Sequence, residues 1–151
     1  MAKQSLTEDF KEFLTLLNDN GVEYLLIGGY AVGYYGYPRT TADMDIWIAI
    51  HPDTARKMVT VFNRFGLQGD DVNEELFCQP GNIVRMGLPP VRIEVLNEID
   101  GVEFAECFSR CKPVIIDGIS INLISLADLR CNKLAAARHK DLDDIEHLPE
   151  K

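Results

Sequence analysis

The spacing of hydrophobic residues along the chain predicts six helices and six strands. The first helix follows the capping-box pattern of Ser5 and Glu8. Its apolar side consists of four residues at helical spacing, Phe10, Phe13, Leu14 and Leu17. Further helices are predicted at residues 30–36, 52–65, 102–110, 126–138 and 141–148. Strands are predicted at residues 22–27, 44–50, 82–86, 91–96, 112–117 and 119–124, and the polar stretch 66–81 is predicted to be irregular.

The order of these elements predicts the fold class. Two strand pairs are close enough to form hairpins, and the second pair is joined by Asp117-Gly118, a favoured turn dipeptide. Because hairpins pair antiparallel while helices separate the other strands, we expect an α/β (α+β) fold, a mixed β-sheet with helices packed against it. A chain of 151 residues suits one domain that spans residues 1–151.

Two carboxylates lie on one face of the strand predicted at residues 44–50. Asp43 and Asp45 are two positions apart, so they point to the same side of an extended chain. The opposite, core-facing side carries Met44, Ile46, Ile48 and Ile50. Neighbouring carboxylates repel each other unless a cation lies between them, and strands disfavour Asp. An Asp at a strand start is often only a solvated edge residue, but this pair, taken with the glycine turn before it, favours a magnesium site.

The glycine turn is Gly28-Gly29, which follows the strand predicted at residues 22–27. Glycines between a strand and a helix let the backbone approach an anion closely, and the amides of the next helix favour phosphate. A tight turn without a ligand is the alternative. A dinucleotide-binding turn is disfavoured, because it requires a third-position Gly where this chain has Tyr30.

Glu94 is a third candidate metal ligand. In the strand predicted at residues 91–96 it faces away from the core residues Val91, Ile93 and Val95. If this strand lies beside the Asp strand, three carboxylates converge, as a two-metal phosphoryl-transfer site requires. The third acid would then ligate one metal and help to deprotonate the acceptor. The alternative is an exposed Glu that pairs with Arg92 or another neighbour.

Polar residues between the glycine turn and the Asp pair are candidates for nucleotide binding. Arg39 could offset the charge of a triphosphate, and the hydroxyls of Thr40 and Thr41 could bind phosphate oxygens. The alternative is a surface Arg with turn-forming hydroxyls, which is the better interpretation of Thr41.

The last two helices carry further charged candidates. Lys133 shares a helical stripe with Leu126 and Leu129, so its ammonium either extends to water or reaches a β- or γ-phosphate. Residues 138–144 then bring opposite charges close together. This segment is either a solvated helix junction or places Lys140 or Asp141 at the rim of a pocket.

Composition narrows the function classes. With 15 basic and 24 acidic residues the net charge is −9, which argues against broad, non-specific nucleic-acid binding. The first residues show no signal-peptide pattern, and no apolar run reaches the ~20 residues of a membrane span. We therefore expect a cytoplasmic protein without a membrane partner. The four cysteines lack metal-finger spacing and are expected to be reduced thiols.

Two motifs together resemble a known superfamily. The run Ile27-Gly28-Gly29, thirteen residues, Asp43-Met44-Asp45-Ile46 resembles the nucleotidyltransferase signature, a Gly-Gly or Gly-Ser turn followed by an Asp-x-Asp strand. The tail Asp128-Leu129-x-x-x-Lys133-x-Ala135-Ala136-x-Arg138-x-Lys140-Asp141-Leu142-x-Asp144 is similar to that of small bacterial members, including the abortive-infection (AbiEii-type) toxins. The resemblance extends from about Tyr24 to Leu148.

This resemblance implies a nucleotidyltransferase fold and a set of site residues. Mg²⁺, one ion or two, would be held by the catalytic residues Asp43, Asp45 and Glu94. The nucleotide would be bound by Gly28, Gly29, Arg39, Thr40, Lys133 and Asp141, with Asp144 an alternative to Asp141.

The expected reaction moves a nucleoside monophosphate from a nucleoside triphosphate (NTP) to an acceptor and releases pyrophosphate. The acceptor stays open among an RNA end, a protein side chain and a small molecule such as an aminoglycoside. The alternative is a catalytically weak or inactive nucleotide-binding module that acts through a partner, as in a toxin–antitoxin pair. That partner would be an antitoxin or a second copy of this chain.

Overall fold

The structure is a computed structural model that describes residues 6–37, 43–88 and 91–150. Its helices in this part of the chain are α1 (Glu8–Asp19), α2 (Gly28–Tyr34), α3 (Pro52–Arg64), α4 (Glu74–Cys78), α5 (Phe104–Ser109), α6 (Leu126–Ala136) and α7 (His139–His147). Its strands are β1 (Tyr24–Ile27), β2 (Asp43–Ile48), β3 (Ile83–Met86), β4 (Arg92–Leu96), β5 (Lys112–Ile116) and β6 (Ile119–Leu123). The predicted elements are thus present with small shifts at their ends, and α4 is additional.

The six strands form one mixed sheet in the order β3-β4-β2-β1-β6-β5. β2 pairs antiparallel with β1 but parallel with β4, and β1 pairs parallel with β6. The two outer strands, β3 and β5, are antiparallel hairpin partners of β4 and β6. The predicted mixed sheet with packed helices is therefore confirmed.

Local sequence explains where several elements begin. The cap of α1 is Thr7, whose Oγ1 accepts a hydrogen bond from Phe10 N at 3.2 Å, and Ser5 lies outside the described residues. The hairpin of β5 and β6 turns through Asp117 and Gly118, both with positive φ (51° and 80°), as its turn dipeptide predicts.

The prediction that residues 66–81 are irregular was wrong at α4. Asn73 caps this short helix, since its Oδ1 accepts a hydrogen bond from Leu76 N at 3.1 Å. The helix inserts Phe77 into the core, where it is 2% exposed and meets Phe62 edge-on. The buried side chain of Asn97 also holds the end of this helix, since its Nδ2 donates to Phe77 O at 3.1 Å and to Gln79 O at 2.8 Å.

The two faces of β2 differ, as the alternation predicts. Met44, Ile46 and Ile48 are at most 1% exposed on the core side. The same expectation was wrong for Ile50, because β2 ends at Ile48 and Ile50 is 43% exposed. On the other face, Trp47 follows the two carboxylates and is buried under Phe104 of α5.

Within the described residues, no helix is both long enough and apolar enough to cross a membrane.

Candidate active site

Parallel pairing of β2 with β4 brings three carboxylates together. The register places Asp45 opposite Glu94 and Asp43 opposite Arg92. Because paired residues project to the same side of a sheet, Asp43, Asp45 and Glu94 share one face. One carboxylate oxygen from each lies within 4.8 Å of the others. The convergence expected from the sequence therefore occurs.

The glycine turn packs directly against this group. Gly28 has φ +69°, and a Cβ built at this position would overlap the Asp45 carboxylate at Oδ2. Only glycine adopts this backbone conformation cheaply and leaves room for the carboxylate. The Gly28-Gly29 turn is thus placed beside the acidic group, and Gly29 lies within α2.

The surroundings of Asp45 shift its pKa strongly. Burial, followed by the nearby Glu94 and Asp43 carboxylates, raises the pKa of Asp45 to about 7, while Lys140 acts in the opposite direction. Its Oδ1 is buried and has no hydrogen-bond partner among the described residues. A buried carboxylate oxygen without a partner costs free energy, so this atom needs a proton or a cation.

Two arginines neutralise the other two acids. Arg92 donates to Asp43 from Nε to Oδ1 at 2.9 Å and from Nη2 to Oδ2 at 3.0 Å. Arg85 of β3 donates from Nε to Glu94 Oε1 at 2.9 Å, and Arg92 Nε lies 3.7 Å from the same oxygen. Both interpretations of Glu94 thus hold, since it pairs with arginines and also faces the Asp pair.

A divalent cation fits this acidic group. The donors are carboxylate oxygens, the ligands that Mg²⁺ prefers, and they converge from two rigid neighbouring strands. A cation near Asp45 Oδ1 would give this orphaned oxygen a partner and offset the burial and the carboxylate repulsion that raise the Asp45 pKa.

Lys133 and Asp141 meet in a buried ion cluster. Lys133 Nζ lies 3.0 Å from Asp141 Oδ1 and 3.1 Å from Asp144 Oδ2, and all three side chains are at most 5% exposed. Of the two alternatives for Lys133, extension of its ammonium to water does not hold, because two buried carboxylates hold the ammonium. Asp141, 0% exposed, does not lie at a rim either. Their assignment to nucleotide binding stays a prediction.

Arg138 is also part of this cluster. Its Nε donates to Asp141 Oδ2 at 2.6 Å, while most of its side chain remains exposed. The hydrogen bond to Asp141, and then the charges of Asp100 and Asp45, raise the pKa of Arg138. The charge of Arg138 therefore interacts with both Asp141 and Asp45.

Sequence reasoning left out several of these cations. Arg85 received no role, and Arg138 was named only in the charged tail, although Arg138 and Asp141 are three residues apart at a helix start, a spacing that signals contact. The predicted nucleotide-binding residues Arg39 and Thr40, together with Thr41, lie outside the described residues.

A sequence comparison assigns the chain to a family. The profile described as "Nucleotidyl transferase of unknown function (DUF2204)" matches residues 6–151. The chain belongs to this family. No curated protein matches the chain. The resemblance to nucleotidyltransferases drawn from the glycine turn and the Asp-x-Asp strand is thereby confirmed at the level of the family.

Solved nucleotidyltransferase structures share the fold at low sequence identity. A candidate nucleotidyltransferase from Thermotoga maritima superposes with a TM-score of 0.61 at 13% identity, over 90% of this chain and 87% of its own. The antibiotic-resistance factor ANT(2″)-Ia superposes with a TM-score of 0.59 at 12% identity, over 91% of this chain and 79% of its own. At these identities the similarity establishes the nucleotidyltransferase fold.

Proposed function

We propose that this chain is a single-domain, Mg²⁺-dependent enzyme that transfers a nucleoside monophosphate from an NTP to an acceptor and releases pyrophosphate. One observation carries the proposal: three carboxylates from neighbouring parallel strands lie within 4.8 Å of one another, beside a glycine turn. Membership of a nucleotidyltransferase family supports the same reaction class.

Asp43, Asp45 and Glu94 would hold one or two Mg²⁺ ions. When bound, the metal would neutralise charge on the triphosphate and polarise the α-phosphate for attack. In the transfer, the acceptor oxygen forms a bond to the α-phosphorus, and the bond from that phosphorus to the bridging oxygen breaks. Pyrophosphate leaves, and the acceptor proton passes to a carboxylate, for which we propose Glu94.

The remaining residues would bind and orient the nucleotide. We propose that the Gly28-Gly29 backbone contacts phosphate, since Gly28 already lies against Asp45. Arg39 and Thr40 keep the phosphate-binding roles that the sequence suggests. To these we add Arg138, whose charge interacts with that of Asp45 and would offset triphosphate charge.

We propose a structural role for Lys133 and Asp141. They lie in the buried cluster behind Arg138, so their contribution would be to hold the start of α7 near the acidic group. The tail that resembles the AbiEii-type toxins therefore forms a charged scaffold, and a toxin assignment for this chain is a proposal that rests on this tail.

The test is transfer of label from α-labelled NTPs, with Mg²⁺, to RNA, protein and small-molecule extracts. We expect transfer by the natural chain and a loss of at least about 100-fold in the double variant Asp43→Asn/Asp45→Asn. The matched control Asp70→Asn/Asp71→Asn removes two exposed carboxylates and should keep activity. Equal transfer by the natural chain and the Asp43/Asp45 variant would refute the proposal.

A second candidate function is a nucleotide-binding module that acts through a partner, an antitoxin or a second copy of the chain. The observation that favours it is that Asp43 already pairs with Arg92 and Glu94 already pairs with Arg85. Calorimetry would separate the two functions. Mg²⁺-dependent NTP binding without transfer to any extract supports the module, and absence of NTP binding contradicts both.

A further inference from the structure

An arginine from the edge of the sheet holds Glu94. Arg85 of β3, Glu94 of β4 and Asp45 of β2 lie opposite one another in the registers of the two strand pairs. Because paired residues project to the same side of a sheet, the three side chains form one row on the face of the acidic group. Glu94 is in the middle of this row, with a guanidinium on one side and a carboxylate on the other.

The hydrogen bond from Arg85 reaches one oxygen of Glu94. Arg85 Nε donates to Oε1 at 2.9 Å, and Arg92 Nε lies 3.7 Å from the same oxygen. Asp43 differs, since Arg92 donates to both of its oxygens. Among the described residues, the contact with Glu94 is thus one-sided: it fixes Oε1 and leaves Oε2 for another partner.

The contact between Arg85 and Glu94 acts mainly on orientation. The Arg85 side chain is 54% exposed and that of Glu94 is 14% exposed. Such pairs contribute little to the free energy of unfolding, because water screens the charges and two long side chains must be ordered. In the described part of the chain, Glu94 is the only acid within 4.0 Å of the Arg85 guanidinium. Its contact therefore restricts Glu94 more than it stabilises the fold.

A glutamate at this position needs a contact that restricts it. Its side chain has one more rotatable bond than that of an aspartate, so the backbone fixes its carboxylate less well. The carboxylates of Glu94 and Asp45 also belong to a group whose oxygens lie within 4.8 Å of one another, and like charges at this distance repel. Without Arg85, both effects would let Glu94 rotate away from Asp45.

We propose that Arg85 is a positioning residue, which holds Glu94 Oε1 so that Oε2 binds the metal or receives the acceptor proton. The role of Glu94 in this inference rests on the proposed function. Arg85 acts through Glu94 and contacts neither the metal nor the nucleotide. Residues that hydrogen-bond to metal-binding carboxylates typically change metal affinity or activity by about 10- to 100-fold when they are removed.

The first test is Mg²⁺ binding by calorimetry, which needs no acceptor. In Arg85→Gln we expect Mg²⁺ to bind about tenfold more weakly, because Glu94 is no longer oriented. A purely electrostatic role predicts the opposite sign, since loss of a positive charge beside the acids strengthens cation binding. Arg85→Lys keeps the charge and a donor and should restore part of the affinity. The control Arg56→Gln makes the same charge change in an exposed pair with Asp53 and should bind as the natural chain does.

The second test shows whether Arg85 acts through Glu94. Adding Arg85→Gln to Glu94→Gln should weaken Mg²⁺ binding no further than Glu94→Gln alone, because the two residues act as a unit. With the extract that accepts label, Arg85→Gln should lower the turnover rate at saturating NTP about tenfold and leave the KM for the NTP unchanged. Its urea unfolding midpoint should stay near that of the natural chain, which separates positioning from a folding defect.

Three results would overturn the inference. The first is Mg²⁺ binding by Arg85→Gln that equals or exceeds that of the natural chain. The second is a further loss of Mg²⁺ affinity when Arg85→Gln is added to Glu94→Gln. The third is a raised KM for the NTP at unchanged turnover, which would place Arg85 on the triphosphate.

The proposed function and the positioning role can fail separately. Label transfer by the natural chain alongside any of these three results leaves the proposed function intact. Weaker Mg²⁺ binding by Arg85→Gln, without label transfer by the natural chain to any extract, supports the positioning role and contradicts the proposed function.

Discussion

Arg92 holds Asp43 by both carboxylate oxygens, at 2.9 Å and 3.0 Å, from the strand position directly opposite. The pair is partly exposed, with the Arg92 side chain at 32% and the Asp43 side chain at 24% of full exposure. Bidentate pairing fixes the orientation of the carboxylate, so Asp43 is preoriented before a metal arrives. It also means that a metal and Arg92 compete for the same oxygens.

This competition predicts that removing Arg92 strengthens metal binding. In Arg92→Gln we expect Mg²⁺ to bind about three- to tenfold more tightly in the absence of nucleotide, because the ion pair with Arg92 no longer opposes it. Calorimetric titration measures this. Arg56→Gln breaks the exposed pair with Asp53 and makes the same charge change, so it serves as the control. Equal or weaker Mg²⁺ binding by Arg92→Gln would show that Mg²⁺ and Arg92 do not compete for Asp43.

The raised pKa of Asp45 predicts how the stability of the folded chain depends on pH. Burial, then Glu94 and Asp43, raises its pKa from the usual 3.8 to about 7 in the folded chain. A carboxyl with a higher pKa in the folded state favours folding at low pH, and this stability is lost as pH rises from about 4 to about 7. Asp45→Asn removes that loss. The substitution should change the free energy of unfolding little at pH 4. At pH 8 it should raise the free energy of unfolding of the metal-free protein by about 2–4 kcal/mol.

Urea unfolding in a chelator at pH 4 and pH 8 measures this difference. Asp70→Asn removes an exposed carboxylate and should change the free energy of unfolding by under about 0.5 kcal/mol at both pH values. The prediction fails if Asp45→Asn has the same effect at pH 4 and pH 8. In the natural chain, Mg²⁺ should release a proton on binding near pH 7, so its apparent affinity should rise with pH.

The local part of this site could be predicted from the sequence. The period of two in β2 places Asp43 and Asp45 on one face and the buried isoleucines on the other, without reference to any other strand. The same rule placed Glu94 away from the core of β4. The turn signal at Asp117-Gly118 located the end of its hairpin for the same reason, since it acts within a few residues.

The nonlocal part could not be predicted. Whether Glu94 meets Asp45 depends on β4 pairing with β2 rather than with another strand, and on a register that a two-residue slip would change. The arginine partners of the acids depend on that register too. Lys133 shows the same limit, because its helix alone gives no sign that α7 will cover it with two carboxylates.

Gly28 provides a test of the contact between the turn and the carboxylates. Gly28→Ala adds a methyl group where Asp45 Oδ2 lies, at a φ of +69°. We expect a loss of more than about 2 kcal/mol in unfolding free energy, and loss of Mg²⁺ binding because Asp45 must move. Gly36→Ala is the matched control, since Gly36 has φ +113° but nothing within 4 Å of an added Cβ. Equal stability loss with unchanged Mg²⁺ binding in both variants would mean that backbone strain alone is responsible.

Lys133 distinguishes a structural ion cluster from a direct phosphate contact. Burial alone would raise the pKa of Asp141, but hydrogen bonds from Arg138 and Lys133 outweigh it and hold the pKa below its usual value. In Lys133→Met the buried carboxylates lose their ammonium, so we expect about 3–5 kcal/mol less stability without any nucleotide present. Lys11→Met, which breaks a surface pair with Glu8, should cost under about 1 kcal/mol. If Lys133 instead acts only on the nucleotide, Lys133→Met will unfold like the natural chain in urea and differ from it solely in NTP affinity.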